Sequence, residues 1–259
     1  MAMDRRRRYN LLLIAALVPI LLATVWWQAP TAEDGPVLPA AAASGRRLPI
    51  YSVETPGKTV AISFDAAWGA DKTPVLLDIL DQFGVKTTFF LVSFWVEDYP
   101  DMAREIVRRG HELGLHSATH PDFTTLSKEQ IQQELRHNYE TIVRVTGFRP
   151  KLFRPPFGAY NNRVIETVED EEGFITIQWS VDSLDWKNVS ADFIVQRVLG
   201  AIRPGDIVLF HNNAEATPAA LPRILERLQA DGYAVVPISQ LIYKENYRID
   251  HTGRQIPLR

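Results

Sequence analysis

The chain has 259 residues, 46% of them hydrophobic and 23% charged, with a formal net charge of -3 and no cysteine. That composition fits a globular protein with ample core and gives no electrostatic case for nucleic acid or an anionic surface as partner. Without cysteine there are no disulfides, thiolate metal sites or cysteine nucleophiles, so any metal must be held by His, Asp or Glu.

The N-terminus departs from the average. Arg5, Arg6, Arg7 and Arg8 precede an apolar run from Leu11 to Trp27. Clustered positive charge beside such a run predicts residues 1–10 in the cytoplasm, a transmembrane signal anchor at 11–27 and everything after it outside. Trp26 and Trp27 stand where an interfacial aromatic belt would lie. A cleaved signal peptide is the competing expectation, but the nearest small-residue stretch, Ala40 to Ala43, is far downstream. Either way the folded part is exported, and the anchor would make it a single-pass cell-membrane protein with its main domain extracytoplasmic. Residues 28–50, rich in Pro, Ala and Gly, are expected to form a tether.

From there the pattern becomes regular. Short apolar runs at Thr59–Phe64, Lys86–Val92, His111–His116, Leu152–Arg154, Phe174–Ser180, Asp206–His211 and Tyr233–Ile238 predict seven strands. Helical spacing is clearest over Ser127–Thr146, where Ile131, Leu135, Tyr139, Ile142 and Val145 recur. Ser127 with Gln130 makes a capping box there, and Gly147 closes the helix. Met102–Arg109 and Leu221–Leu228 are further helices. Alternating strands and helices imply an α/β domain, residues 51–245, with a parallel sheet covered by helices. Residues 246–259 read as a polar C-terminal tail.

Reactive side chains fall at equivalent places in this pattern. Asp65 ends the first strand, His116 the third, Arg154 the fourth and His211 the sixth, while Asp182 and Asp185 follow the fifth. In α/β folds the C-terminal strand ends converge on one mouth, which predicts a single site. His116 and His120, spaced i and i+4, would share a face of one helical turn and could bind one divalent ion. Each group also has a plainer explanation: Asp65 as a turn-initiating aspartate, His211 as a satisfied core histidine, Asp182 as a loop cap. His137, on the polar side of its helix, and His251, in the tail, read as solvated.

Five segments in order carry a resemblance: Ser63-Phe64-Asp65-Ala66-Ala67-Trp68-Gly69, His116-Ser117-Ala118-Thr119-His120, Arg154-Pro155-Pro156-Phe157-Gly158, Asp182-Ser183-Leu184-Asp185-Trp186 and Ile207-Val208-Leu209-Phe210-His211. With Gly110-His111-Glu112 before the second, the stretch from about Val60 to Ile238 resembles the polysaccharide deacetylases, the NodB-homology enzymes of carbohydrate esterase family four. The Asp-x-x-Trp-Gly form of the first segment looks like the sporulation-associated, PdaB-like branch.

The resemblance implies a distorted seven-stranded (β/α) barrel, here preceded by one transmembrane helix, that removes N-acetyl groups from a cell-wall glycan such as peptidoglycan. It implies a divalent cofactor (zinc, cobalt or nickel) on His116 and His120, with Asp65 as general base and His211 as general acid. Asp185 would hold His211 in its working state and Arg154 would orient Asp65. The Phe157 N–H would face the oxyanion, and Trp186 would wall the acetyl pocket. One position departs from the family: the usual second aspartate, the third metal ligand, is Ala66. Asp71 is the nearest carboxylate that could replace it. A non-catalytic or metal-deficient glycan-binding member is therefore the alternative. Glycosidase chemistry is less suited, because it uses two reactive carboxylates and one is evident here.

Overall fold

The computed structural model describes residues 45–258. The expected anchor and nearly all of the tether lie outside those residues, and among the described residues no helix is long and apolar enough to cross a membrane. Residues 46–259 form one compact unit.

In chain order its elements are β1 (Ser52–Val53), β2 (Thr59–Ala66), α1 (Thr73–Gln82), β3 (Thr88–Leu91), α2 (Ser93–Asp98), α3 (Pro100–Arg108), β4 (Glu112–Leu115), α4 (Lys128–Thr146), β5 (Leu152–Phe153), α5 (Asn162–Ile165) and β6 (Ile175–Thr176). There follow β7 (Val181–Asp182), α6 (Ala191–Ala201), β8 (Ile207–His211), α7 (Thr217–Ala230), β9 (Ala234–Val235), α8 (Ile238–Leu241), β10 (Tyr247–Ile249) and β11 (Arg254–Pro257). The main sheet runs β6-β5-β4-β3-β2-β8-β7, with β9 on the start of β2, and every pair in it is parallel. The expected α/β class and parallel sheet are present. The sheet, however, has eight strands along an open path, and among the described residues no ladder joins β6 to β7. Instead residues 50–53 bridge across the opening, Ile50 to Ile177 and Ser52 to Asp206.

Parallel strands covered on both faces read as nearly continuous apolar runs, as β2 and β8 do. Phe64, Ala66, Phe89, Leu91 and Leu115 point into the core beneath the helices. Ala61, Phe90, Leu152, Ile177 and Ile207 fill the hollow of the curl. Along β2, β3 and β8 successive side chains alternate between these two clusters with the strand period of two, so Asp65 and His211 face the hollow's mouth beside each other. Where the N-terminal strand passes the main sheet there is no room for a side chain. Gly205, at φ +88°, accepts from Val53 N, and a Cβ there would lie 1.7 Å from the Val53 carbonyl oxygen.

α4 matches its expected bounds. The Ser127 hydroxyl accepts from Gln130 N, the Gln130 side chain returns the bond, and Gly147 adopts φ 73° at the end. The C-terminal residues differ from the tail the sequence suggested. β10 and β11 form a hairpin, and β11 pairs in parallel with β1. The fully buried Gln255 holds it, accepting from Tyr243 N at 2.8 Å and donating to Tyr243 O at 2.7 Å.

Candidate active site

A cavity of about 680 Å³ opens at the C-terminal ends of the strands. Asp65, His116, His120, Phe157, Asp185, Trp186 and His211 all line it, so seven of the eight residues to which the resemblance gives a role in the site converge there. Arg154, the eighth, lies fully buried behind Asp65.

Arg154 Nη1 donates to Asp65 Oδ1 at 2.7 Å and Nη2 to the Gln178 carbonyl at 3.2 Å, while the guanidinium stacks 4.1 Å from the Phe90 ring centre. Burial alone would push the Asp65 carboxyl up. The Arg154 charge, aided by nearby imidazoles, overcomes that and holds it below the usual carboxylate range. Opposite it, His211 Nδ1 bonds Asp185 Oδ1 at 2.8 Å. Asp185, itself buried, also accepts from His211 N at 2.9 Å and from the Thr217 hydroxyl at 2.8 Å. Burial pulls the His211 imidazole down, but the hydrogen bond and charge of Asp185 more than offset it and leave the pKa raised. One cavity thus holds a carboxylate kept ionised and an imidazole kept protonated to higher pH than usual.

The two-histidine segment is a loop, which corrects the expected helical turn. Ser117 and His120 both have positive φ, 82° and 62°, and the Ser117 hydroxyl accepts from His120 N. Two side chains one turn apart on α4 hold this loop. Asn138, fully buried, accepts from His116 N and donates to Leu91 O and Ser93 Oγ. Glu134 accepts from Ala118 N, Thr119 N and the Thr119 hydroxyl at 2.7–2.9 Å. Sequence inspection missed Glu134, Asn138 and Thr217. The only signal available for the first two was their i, i+4 spacing on the face of a strongly patterned helix.

The fit of a divalent ion can be tested on these side chains. His116 Nδ1 bonds the Arg154 carbonyl at 2.8 Å, which fixes Nδ1 as the protonated nitrogen and leaves Nε2 bare, 3.6 Å from Asp65 Oδ2. Burial pushes both imidazoles down, His120 to about 4, so both are neutral donors at neutral pH. Their ring centres are 5.0 Å apart. The third donor is missing. Ala66 sits fully buried in the helix-side core, and Asp71 is largely exposed in an ion pair with Lys72 and does not line the cavity. Among the described residues no group of three metal-binding side chains is assembled. Two imidazoles do not complete a stable site of the three-ligand kind. Asp182 lines the cavity, but its carboxylate accepts from Leu184 N at 2.8 Å, which is the plainer loop-capping role.

A family model, Polysaccharide deacetylase, matches residues 52–172. A peptidoglycan-N-acetylglucosamine deacetylase of Bacillus cereus is 34% identical over 200 residues, covering 74% of this chain and 92% of its own. The chain belongs to the polysaccharide deacetylase family. The match to PgdA, the peptidoglycan-N-acetylglucosamine deacetylase of Listeria monocytogenes, is 34% identical over 80% of this polysaccharide deacetylase homologue but spans only 43% of the Listeria protein. Among solved structures, a wild-type CE4 family pseudoenzyme from Bacillus anthracis aligns with a TM-score of 0.73 and 35% identity, over 80% of this chain and 72% of that one. A mutant of it, described as having restored enzymatic activity, aligns at 38% identity with a TM-score of 0.72, over 74% of this chain and 70% of that one.

Proposed function

We propose that this chain hydrolyses the N-acetyl groups of a cell-wall glycan of the peptidoglycan type, outside the membrane that its N-terminal segment anchors it to. The observation that carries this reading is the pairing of Asp65–Arg154 with Asp185–His211 across one cavity. Environments that drive two groups into opposite protonation states at one pH are how a site assigns a base and an acid.

Asp65 takes a proton from water as its oxygen attacks the acetyl carbonyl carbon. The Phe157 N–H, presented on a residue with φ 59°, faces the resulting oxyanion. His211, its Nδ1 engaged by Asp185, has Nε2 available to protonate the amine nitrogen as the C–N bond breaks. Acetate and a free amino sugar leave. Trp186, exposed at the rim, walls the acetyl group. Zinc, cobalt or nickel held by His116 and His120 alone would be bound weakly, so no step is assigned to it. The Asp-x-x-Trp-Gly motif and the anchor layout support placement in the PdaB-like, sporulation-associated branch.

The second reading is a metal-deficient glycan-binding protein. Ala66 and the likeness to a family pseudoenzyme favour it. Acetate release from N-acetylated peptidoglycan fragments by the full-length chain, with and without added zinc, cobalt or nickel, separates the two. Release abolished by Asp65→Asn and His211→Ala supports the hydrolase. Fragment binding without release under every condition would replace it with the binding protein.

A further inference from the structure

Three large aromatic side chains stand exposed on the cavity lining: Trp68 (58%), Phe157 (70%) and Trp186 (53%). Apolar surface left in water around a concave site marks where a ligand covers it. Phe157 and Trp186 already have roles at the acetyl group. Trp68 has none, and its setting is the most elaborate of the three.

Its indole is braced edge-on against His120, with ring centres 4.9 Å apart, and against Phe94 at 6.4 Å. The loop beneath it is held rigidly. The Gly69 carbonyl accepts two hydrogen bonds from buried donors, Trp95 Nε1 at 2.7 Å and Asn212 Nδ2 at 2.8 Å. Asn212 also donates to the Thr73 hydroxyl at the start of α1, and Gly69 takes φ +61° to make the turn. Two core side chains thus immobilise the residue next to an exposed indole, so the platform is set before any ligand arrives and little ordering entropy remains to be lost on binding. The cavity's 680 Å³ also far exceeds what a single acetyl group needs.

We propose that Trp68 stacks on the apolar face of a pyranose ring adjacent to the sugar whose acetamide enters the cavity, so that the site takes a glycan chain in preference to a single amino sugar. The proposal deepens the hydrolase reading, yet its test is a binding measurement that can fail separately. The full-length chain carrying Asp65→Asn, to prevent turnover, is titrated calorimetrically with the monomer, dimer and tetramer of β-1,4-linked N-acetylglucosamine. Affinity is expected to climb about tenfold from monomer to tetramer, the contribution of one stacked ring. Adding Trp68→Ala should flatten that dependence at unchanged thermal stability, and Trp68→Tyr should restore most of it. A Trp68→Ala protein that keeps the wild-type length dependence would overturn the proposal, as would the absence of any length dependence with Trp68 in place. If the wild-type chain binds the tetramer through Trp68 but releases no acetate, the stacking role stands and the hydrolase reading falls. If acetate is released while Trp68→Ala leaves oligomer affinity unchanged, the reverse holds.

Discussion

Replacing Arg154 by Met tests the electrostatic core of the site. Arg154 is fully buried, its Nη1 lies 2.7 Å from Asp65 Oδ1, and methionine fills much of its volume beside Phe90. What remains is a buried carboxylate without its cation. Losing one partner of a buried pair costs about 3–5 kcal/mol. At about 2–4 °C per kcal/mol for a domain of this size, Tm at neutral pH should fall by about 6–20 °C. The pH dependence carries the sharper signature. In the wild type the Asp65 carboxyl is held low, so its contribution is present above the unfolded pKa and is lost as pH falls through the folded one. In the variant burial acts unopposed and raises that pKa, so protonation relieves the strain, and the gap to wild type should narrow between about pH 8 and pH 4. Calorimetric melts of both proteins across that range check this, with acetate release at neutral pH expected to fall in parallel. An equal deficit at both ends of the range, or one below about 1 kcal/mol, would refute the claim that charge pairing holds Asp65 in place.

Three other outcomes follow from the same geometry. Asp185→Asn removes the charge that lifts His211 while leaving the burial that lowers it, so the high-pH limb of acetate release should move to lower pH; an unmoved limb would remove His211 as the acid. Glu134→Ala, which deletes three hydrogen bonds to the two-histidine loop, should weaken the already weak cobalt affinity read by titration about tenfold, while Glu134→Gln, able to satisfy the same partners, should not. His111 is buried, and burial first, then Lys86 and Arg109, push it down to about 4; it accepts from Thr87 N at 3.2 Å. Denatured chains protonate it near 6.5, so stability should be lost as pH falls through the window between those values, by on the order of 3 kcal/mol. Urea midpoints measured stepwise across that window should show the slope, and His111→Gln should remove it.

Much of the domain could be inferred from sequence because local signals agreed. α4 announced its cap, its stripe and its closing glycine, and the strand ends announced the site because chemistry-bearing residues sat at equivalent places. Two of the misses, the two-histidine loop and the last hairpin, share a cause, which is bonding to distant residues. His116 and His120 have the spacing of a helical turn, but Asn138 and Glu134, distant in sequence, hold the segment as a loop with two positive-φ residues. α1 and α6 went unrecognised because α1 opens without a side-chain cap and α6, though capped by Ser190, adjoins a run of polar turns. The last hairpin was hidden because the residue buried at its centre is Gln255, a polar side chain whose amide finds both its partners on Tyr243. Hydropathy patterns cannot register a buried residue of that kind. At Ala66, where the resemblance leads one to expect an aspartate, the structure shows a methyl embedded in the helix-side core.

The parallel pairing of β1 with β11 has a mechanical consequence. Tyr51 N bonds Gly253 O and Glu54 N bonds Gln255 O, so the strand by which the chain enters the domain is gripped by the hairpin near its other end. A pull arriving through residue 50 would load these bonds in shear, together with those from Ile50 to Thr176 and Gln178. The hairpin is thus the buckle of the strap. Cutting the chain after residue 245 would leave the entry strand without its partner and let traction peel it from the sheet.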